Sequence, residues 1–268
     1  MKIGCIYCCY GNPEYIDDCL KPWIEAKKEH NILIAAVHGQ FKEYHDLGIE
    51  DNDIITQKQL LDRLVNKDLD FAYIQNEYNN EKIYQTEAEI RDKGLQWLLK
   101  RNCDYVVLLD GDEKYTFEEI NNLINYIQKD EFIAVYNIEF KNLTFDNFHY
   151  TKGFSPQRVW QVNLNHWKLY KINYDNDCIY KNVNTGDILS DKDFSHKKIP
   201  INLVNPLHYT WNDLERSKLK IKYAEKRWNP PNGNGCSFKI SEDGKSIDWN
   251  LDYYNRINQN IPELHKLT

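Results

Sequence analysis

The stretch Tyr105-Val-Val-Leu-Leu-Asp-Gly-Asp-Glu113 decides the fold, because an apolar run leads directly into two carboxylates separated by one glycine. A run of this length, followed by a helix start at Thr116, predicts a buried central strand of a parallel sheet. Ligands bind at the carboxyl ends of such strands. The glycine permits a sharp turn, so Asp110 and Asp112 can face one crevice and hold a hard divalent cation, with a diphosphate supplying further oxygens. The alternative interpretation is an ordinary solvated Asp-Gly turn.

Composition sets the limits within which this motif is interpreted. The chain has 268 residues, 41% of them hydrophobic and 28% charged, which is enough for one large α/β domain. Its formal net charge of -7 argues against a sequence-independent grip on nucleic acid, which needs clustered Lys and Arg. The N-terminus enters a strand without the features of a signal peptide, and no apolar run is long enough for a transmembrane helix. We therefore expect a cytosolic protein, or one at most peripheral to a membrane.

Strands and helices alternate through the first half of the chain. Besides the acidic strand, apolar segments predict strands at residues 3–9, 32–37, 71–74 and 132–140. Helical spacing predicts helices at residues 15–24, 60–65, 86–100 and 117–127. Such alternation predicts an α/β fold with a mostly parallel central sheet and helices on both faces. After about residue 143 the pattern changes to short antiparallel strands, followed by a C-terminal helix at residues 213–227.

Three segments carry a family resemblance. The first is Ile3-Gly-Cys-Ile-Tyr-Cys-Cys-Tyr-Gly-Asn-Pro-Glu-Tyr-Ile-Asp-Asp-Cys-Leu20, an apolar strand, a loop with Tyr and Asn, and an aromatic-containing helix. The second is Glu89-Ile-Arg-Asp-Lys-Gly-Leu95, and the third is Asp110-Gly-Asp112. In this order they resemble the family 2-like glycosyltransferases of the GT-A fold over the first half of the chain. The resemblance implies a GT-A-like, Rossmann-like α/β fold.

The resemblance also implies roles for individual residues. Cys8 and Tyr10 match the loop that flanks the nucleotide base, and Arg91 matches a basic residue that reaches the nucleotide. Asp112 matches the metal ligand. Asp110 matches the carboxylate beside the ribose and is a second candidate ligand for the ion. Mn²⁺ or Mg²⁺ is the cofactor that these roles imply.

Structural alternatives accompany these assignments. Arg91 could be a surface helix arginine that pairs with Glu87, and Tyr10 could simply pack on Tyr15. One departure from the family concerns the nucleotide base. The second strand leads into His38, where the family often has an acidic residue that bonds the base. A uridine nucleotide is therefore expected from the general pattern of the family alone.

The second half of the chain offers two further matches. Pro156-Gln-Arg-Val-Trp160 resembles a segment that follows the nucleotide half in some of these enzymes, and Asn205-Pro-Leu-His-Tyr209 resembles the later strand whose histidine returns to the metal and diphosphate. His208 is thus a candidate third ligand, because neutral imidazole suits Mn²⁺ beside carboxylates. The alternative is a core histidine bonded to a backbone carbonyl.

An inverting enzyme of this class needs a carboxylate that removes the proton of the acceptor hydroxyl. Asp175 lies where related sequences place an acidic residue before the histidine strand, so it is the candidate catalytic base. Asp187, Asp191 and Asp193 compete for this role, although each could simply form a turn.

We therefore predict a metal-dependent glycosyltransferase of the hexosyltransferase type, which moves a sugar from a nucleotide diphosphate donor, a UDP-sugar, to an acceptor hydroxyl. Residues 1–143 would form the nucleotide-sugar-binding half and residues 144–268 the acceptor-side half of one continuous domain. Two alternatives stay open. One is a nucleotidyltransferase on a related fold, although Cys9-Tyr-Gly-Asn12 is not a Gly-rich, basic triphosphate loop. The other is a non-catalytic carbohydrate-binding protein.

Overall fold

The hydrophobic pattern is realised as strands and helices over the residues that the structure, a computed structural model, describes: 1–9, 13–39, 42–46, 62–64, 67–74, 85–130, 133–144, 149–173, 177–209, 214, 217–218, 220–221, 238–243, 247–256 and 259–267. The strands are β1 (Ile3–Cys9), β2 (Ile32–His38), β3 (Phe71–Ile74), β4 (Tyr105–Asp110), β5 (Glu113–Lys114), β6 (Val135–Asn137), β7 (Phe140–Leu143), β8 (His149–Phe154), β9 (Gln157–Gln161), β10 (Asn163–Leu164), β11 (Trp167–Ile172), β12 (Cys178–Asn182), β13 (Ile188–Ser190), β14 (His196–Lys198), β15 (Leu207–His208), β16 (Phe238–Ile240), β17 (Ile247–Trp249) and β18 (His265–Lys266). The α-helices are α1 (Ile16–Ala26), α2 (Lys42–Asp46), α3 (Glu87–Leu99), α4 (Phe117–Lys129) and α5 (Leu251–Arg256).

Helices α3 and α4 begin where the sequence predicts, because each has the same N-terminal cap. At α3 the hydroxyl of Thr86 accepts a hydrogen bond from the Glu89 amide at 3.1 Å, and the Glu89 carboxylate accepts one from the Thr86 amide at 2.8 Å. Thr116 and Glu119 make the same pair of hydrogen bonds at α4. Such a capping box satisfies amides that the helix leaves without acceptors. It also fixes the point at which each helix leaves the preceding loop.

The chain forms two compact units, each of which is described by itself. The first unit contains Met1–Lys42, Asp51–Glu139 and Ser155–Pro206. It holds a seven-stranded sheet in the order β14-β6-β9-β4-β1-β2-β3. Strands β4, β1, β2 and β3 run parallel, so their carboxyl ends lie at one edge of the sheet. The predicted mixed α/β fold with a mostly parallel sheet is confirmed.

Strand β9 occupies a place in this sheet that the sequence does not reveal. It comes from the second half of the chain and pairs antiparallel with both β4 and β6. The prediction of one strand at 132–140 is wrong, because β6 and β7 are separate strands with residues 138–139 between them. The pairing with the β9 segment continues one residue past β6, because the Ile138 amide donates to the Pro156 carbonyl at 3.1 Å. Residue 132 lies outside the described residues.

The first unit also holds a four-stranded antiparallel sheet in the order β10-β11-β12-β13. Its inward side chains, among them Leu169, Ile172, Cys178 and Tyr180, belong to the same buried apolar cluster as Trp160 of β9. The short antiparallel strands that the sequence predicts after residue 143 are therefore present. They extend the core of the first unit.

The second unit contains Glu43–Glu50, Phe140–Phe154 and Leu207–Thr268. Its strands β18, β8, β7 and β15 are neighbours in that order, with β15 parallel to β7 and the other pairs antiparallel. Of the predicted helix at 213–227, the described residues 214, 217–218 and 220–221 are helical. Among the described residues no helix has both the length and the apolar composition that crossing a membrane requires.

Candidate active site

The carboxyl ends of β1 and β4 bring the predicted motif against the first strand. Cys8 of β1 lies directly opposite Asp110 of β4 in the parallel ladder. The turn that follows passes so close to β1 that a Cβ on Gly111 would lie 3.0 Å from the Cys9 Cα atom and 3.1 Å from the Cys8 carbonyl oxygen. A side chain there would push the turn away from β1. Glycine is therefore required here by the close approach of two backbones.

Helix α3 delivers Arg91 to the same edge of the sheet. A Cβ on Gly94 would lie 3.1 Å from Ile6 and 3.3 Å from Val37, so glycine lets the helix pack closely on β1 and β2. Arg91 lies one turn towards the N-terminus of this contact and is only 3% exposed. The glycine of the second family-like segment thus has a packing role, while its arginine faces the strand ends.

Arg91 joins two carboxylates. Its Nη2 donates to Asp110 Oδ1 and lies 2.6 Å from Glu87 Oε1. Burial alone would lower the pKa of Arg91, but Asp110 and Glu87 raise it above its ordinary value. The alternative of a surface arginine is wrong, although the pair with Glu87 is present. The Nε and Nη1 atoms of Arg91 are buried and have no hydrogen-bond acceptor among the described residues.

Arg158 of β9 is the functional candidate that the sequence interpretation missed. Its Nη2 donates to Asp110 Oδ2 at 2.9 Å, so the two oxygens of Asp110 face two different arginines. Its Nε donates to Glu113 Oε1 at 2.8 Å. The signal was a charged residue between apolar positions of the family-like segment at 156–160. Arg158 reaches Asp110 only because β9 pairs with β4 in the sheet.

Glu113 closes an alternating row of charges that runs from Glu87 through Arg91, Asp110 and Arg158. Glu113 is fully buried, and its Oε2 accepts a hydrogen bond from the Asp110 amide at 3.3 Å. Burial raises the pKa of Glu113, while the charge of Arg158 and its hydrogen bonds oppose this shift and favour the carboxylate. Because opposite charges alternate along the row, the orientation of the Asp110 carboxylate is fixed on both sides.

Asp112, the second carboxylate of the motif, lies in the turn that follows β4. It is 4% exposed, so the alternative of a solvated Asp-Gly turn does not hold for it. A carboxylate is the oxygen ligand that Mn²⁺ or Mg²⁺ prefers. Within the described residues no group of three or more His, Cys, Asp or Glu side chains could hold a metal ion. An ion held by Asp112 would therefore need the oxygens of a diphosphate to complete its coordination.

Cys8 and His38 form the wall beside these charges. Burial raises the pKa of the Cys8 thiol to about 12, although Arg91 lowers it, so Cys8 stays a neutral thiol that can only pack against a ligand. His38 ends β2, and its Nδ1 lies 2.6 Å from the Cys9 carbonyl oxygen, to which it donates. The position where the resemblance suggests an acidic residue thus holds a buried histidine that ties β2 to β1.

His208 lies in the second unit, in a pocket of aromatic rings. Its ring stacks on Phe154 with centroids 5.1 Å apart and lies 5.8 Å from Phe140. Its Nδ1 donates to Asn142 Oδ1 at 2.6 Å. In the neutral form of an imidazole with this hydrogen bond, Nε2 would be the acceptor nitrogen, as a metal ligand requires. The role of His208 stays a prediction.

The remaining candidates divide into two groups. Tyr10 and Asp175 lie outside the described residues, so the structure adds nothing to either prediction. The three competitors of Asp175 have structural partners. Asp191 accepts hydrogen bonds from Trp160 Nε1 at 2.7 Å and the Cys178 amide at 2.9 Å. The other two bond within turns: Asp187 with Thr185, and Asp193 with Ser190.

A parallel sheet whose central strand ends in paired carboxylates beside a buried arginine defines an α/β enzyme of the GT-A type. The chain belongs to Glycosyl transferase family 2, whose family model matches residues 5–180. The resemblance drawn from three short segments is thus confirmed, and the chain is a glycosyltransferase. Neither the nucleotidyltransferase nor the non-catalytic carbohydrate-binding alternative is supported.

Several solved structures are similar to this chain at low sequence identity. Fragment 1–349 of S. aureus TarS is 12% identical, with a TM-score of 0.46 and 91% of this chain and 76% of that chain covered. The same fragment in complex with UDP-GlcNAc is 14% identical, with a TM-score of 0.39 and coverages of 60% and 45%. A mycobacterial protein is 10% identical, with a TM-score of 0.43 and coverages of 92% and 82%. Likeness at this level assigns no substrate to this chain.

Proposed function

We propose that this glycosyltransferase uses a UDP-sugar as donor and Mn²⁺ or Mg²⁺ as cofactor, and that it transfers the sugar to an acceptor hydroxyl. The choice of UDP rests on the resemblance of the first strand, loop and helix. Nucleotide-sugar donors are the substrates that membership of the family implies. The choice of metal rests on the oxygen donors at the end of β4.

One observation carries the proposal. The guanidinium of Arg91 is buried next to Asp110 and Cys8, yet its Nε and Nη1 have no acceptor among the described residues. A buried donor without an acceptor costs about 1–3 kcal/mol, so the protein gains when a ligand supplies one. Phosphate and ribose oxygens are such acceptors. A nucleotide bound at this edge of the sheet would supply hydrogen-bond acceptors for Nε and Nη1 of Arg91.

The two carboxylates of the motif then have different roles. Asp110 already receives hydrogen bonds from Arg91 and Arg158, so we propose that it faces the ribose side and orients the nucleotide. Asp112 would hold the ion. A bound divalent cation would stabilise the negative charge of the departing diphosphate. Direct coordination by Asp110 stays a prediction, since an ion would have to compete with two arginines for its oxygens.

Two further roles rest on the resemblance. His208 would be the third ligand of the ion, and Asp175 would take the proton of the acceptor hydroxyl. The hydrogen bond from Nδ1 of His208 to Asn142 would orient the ring for the first role. Residues 144–268 would supply the acceptor side. The identity of the sugar and of the acceptor depends on loops whose chemistry the sequence does not define.

The direct test is the substitution Asp112→Asn. We expect it to abolish sugar transfer and UDP-sugar hydrolysis, because the neutral amide binds the cation far more weakly. The fold should persist, since Asp112 lies at a strand end. Asp62→Asn, the same change at an exposed position, is the matched control and should keep full activity. If the Asp112→Asn enzyme stays fully active at limiting metal, Asp112 is a turn residue only.

A further inference from the structure

The four-stranded sheet β10-β11-β12-β13 of the first unit, here called the outer sheet, has two chemically different faces. Leu169 and Tyr180 are buried in the core, whereas Lys168, Tyr170 and Lys181 are exposed on the same two strands. These three exposed side chains border a cavity of about 700 Å³. Cys8, Arg91, Asp110 and Asp112, the candidate donor-site residues described in the first unit, do not line it. The cavity is therefore distinct from the ends of β1 and β4.

Two lysines face each other across this sheet. Lys168 of β11 and Lys181 of β12 are directly opposite in the antiparallel register. Lys100, the C-terminal cap residue of α3, lines the same cavity. Among the described residues no acidic side chain lines the cavity, and none forms an ion pair with these lysines. Like charges that face each other directly destabilise a sheet, so a bound anion would remove a repulsion that the protein alone leaves in place.

Positive charge at the cavity contrasts with the surroundings of Asp110. The chain as a whole carries a formal charge of -7, and the two arginine side chains around Asp110 are balanced by carboxylates. The other residues that line the cavity include Asn102, Asn184 and Thr185, whose side chains end in amides and a hydroxyl. Neutral donors and acceptors of this kind suit the oxygens of a phosphate or of a sugar.

A β-bulge presents an aromatic ring to the cavity. The register of β11 against β12 shifts between Leu169 and Lys171, which leaves Tyr170 as the extra residue. Bulges re-aim side chains and are frequent beside binding sites. The Tyr170 carbonyl accepts a hydrogen bond from Gln96 Nε2 at 2.7 Å, which ties the bulge to α3. The ring is 45% exposed and lies 5.4 Å from the Lys181 ammonium group.

The opposite wall is the turn between β12 and β13, and it is already ordered. Asn182 Oδ1 accepts hydrogen bonds from the amides of Asn184 at 2.9 Å and Thr185 at 3.2 Å. Gly186 adopts a φ of 82°, a conformation that favours glycine, and its amide donates to the Asn182 carbonyl at 2.9 Å. A ligand would therefore spend little binding energy on ordering this wall.

We propose that this cavity is a second binding site that takes a phosphate-bearing ligand, with Lys168, Lys181 and Lys100 around the phosphate and the Tyr170 ring against the remainder. Lysine ammonium groups bind phosphate as point charges, and a tyrosine ring offers a flat apolar face with a polar tip. The same phosphate chemistry is found in a soluble sugar phosphate and in the headgroup of an anionic lipid. The test must separate these two sources.

Binding is measured without divalent metal, with two probes. Glucose 6-phosphate, titrated by calorimetry, represents a soluble ester, and vesicles of phosphatidylglycerol in phosphatidylcholine, followed by sedimentation, represent a lipid headgroup. The variant is Lys168→Gln with Lys181→Gln. The matched control is Lys152→Gln with Lys239→Gln, two exposed lysines that remove the same charge and do not line the cavity.

The wild-type protein should bind one of the two probes, and the cavity variant should bind it at least about tenfold more weakly, a loss of about 1.4 kcal/mol. The control should bind like the wild type. Binding of the sugar phosphate alone identifies a soluble ligand, and binding of anionic vesicles alone identifies a lipid. The proposal is overturned if the wild type binds neither probe, or if the control loses as much affinity as the cavity variant.

The single substitution Lys168→Glu distinguishes loss of the binding site from loss of the fold. It places opposite charges across the two strands, so the ligand-free protein should melt at a higher temperature than the wild type. The same variant should lose binding of the phosphate probe. Retention of wild-type affinity by Lys168→Glu would also overturn the proposal.

Discussion

Two regions of the first unit differ in how their charged side chains are paired. Around Asp110, buried acidic and basic side chains alternate, and each of the two arginines contacts two carboxylates. On the outer sheet, Lys168 and Lys181 are exposed and face each other without a carboxylate among the described residues. A buried charge without a partner would cost several kcal/mol, whereas solvent tolerates an exposed one. Burial therefore enforces pairing in the first region. In the second region exposure to solvent permits unpaired lysines, and we propose that they are there to bind an anion.

The difference also shows what each region can do. The alternating row fixes the position of one carboxylate and leaves two guanidinium nitrogens of Arg91 for a ligand. The outer sheet fixes a cavity and surrounds it with uncompensated positive charge. We propose that both regions bind a ligand and that the two ligands have opposite chemistry. One region lacks hydrogen-bond acceptors for a buried cation, and the other lacks a negative charge for exposed cations.

The largest stability effect should follow removal of Arg158. We expect Arg158→Met to lower the free energy of unfolding by about 3–5 kcal/mol, because Asp110 and the buried Glu113 lose their shared partner. The control is Lys168→Met on the outer sheet, which should stay within about 0.5 kcal/mol of the wild type. Urea unfolding measures both. Equal effects of the two substitutions would remove the contrast between the regions.

A smaller effect is expected for His208→Ala in the second unit. Loss of the hydrogen bond to Asn142 and of the contact with Phe154 should cost about 1–3 kcal/mol of unfolding free energy. If His208 also holds the ion, the same variant should bind UDP with Mn²⁺ more weakly, while binding of UDP alone changes little. A destabilised variant with unchanged Mn²⁺-dependent affinity would exclude His208 from the site and restrict the metal to the strand end.

The smallest effect is the pH dependence of stability that the buried Asp191 causes. Burial raises the pKa of Asp191, so the folded protein retains its proton above the pH at which the unfolded chain releases it, about 3.9. The stability of the wild type relative to Asp191→Asn should therefore fall as pH rises through that value and level off above the folded pKa. Thermal melts of both proteins across this range test the sign. A relative stability that rises with pH would show that hydrogen bonds outweigh burial at Asp191.

Much of the fold could be predicted because its determinants are local. The apolar run at 106–109 gives β4, and the capping boxes at Thr86 and Thr116 give the starts of α3 and α4. The spacing of Arg91 and Gly94 places one on the strand ends and the other against the sheet. Each of these features depends on a few residues that are adjacent in sequence.

The charge network could not be predicted because it depends on a long-range pairing. Arg158 reaches Asp110 only because β9 enters the sheet next to β4, which no periodicity of the sequence specifies. The separation of β6 from β7 is also non-local, since β6 pairs with β9 and β7 pairs with β8. The lysine pair at Lys168 and Lys181 likewise needs the register of two strands.

The most direct test of the account is a thermal melt of the wild type and Asp112→Asn with UDP, with Mn²⁺, with both and with neither. A ligand that binds only the folded state adds about 2.7 kcal/mol of stability at 100 times its Kd. The account predicts that UDP and Mn²⁺ together raise the melting temperature of the wild type by more than the sum of their separate effects, and that Asp112→Asn loses this joint increment. Absence of any metal-dependent shift with UDP, and with GDP as the second nucleotide tested, would contradict it.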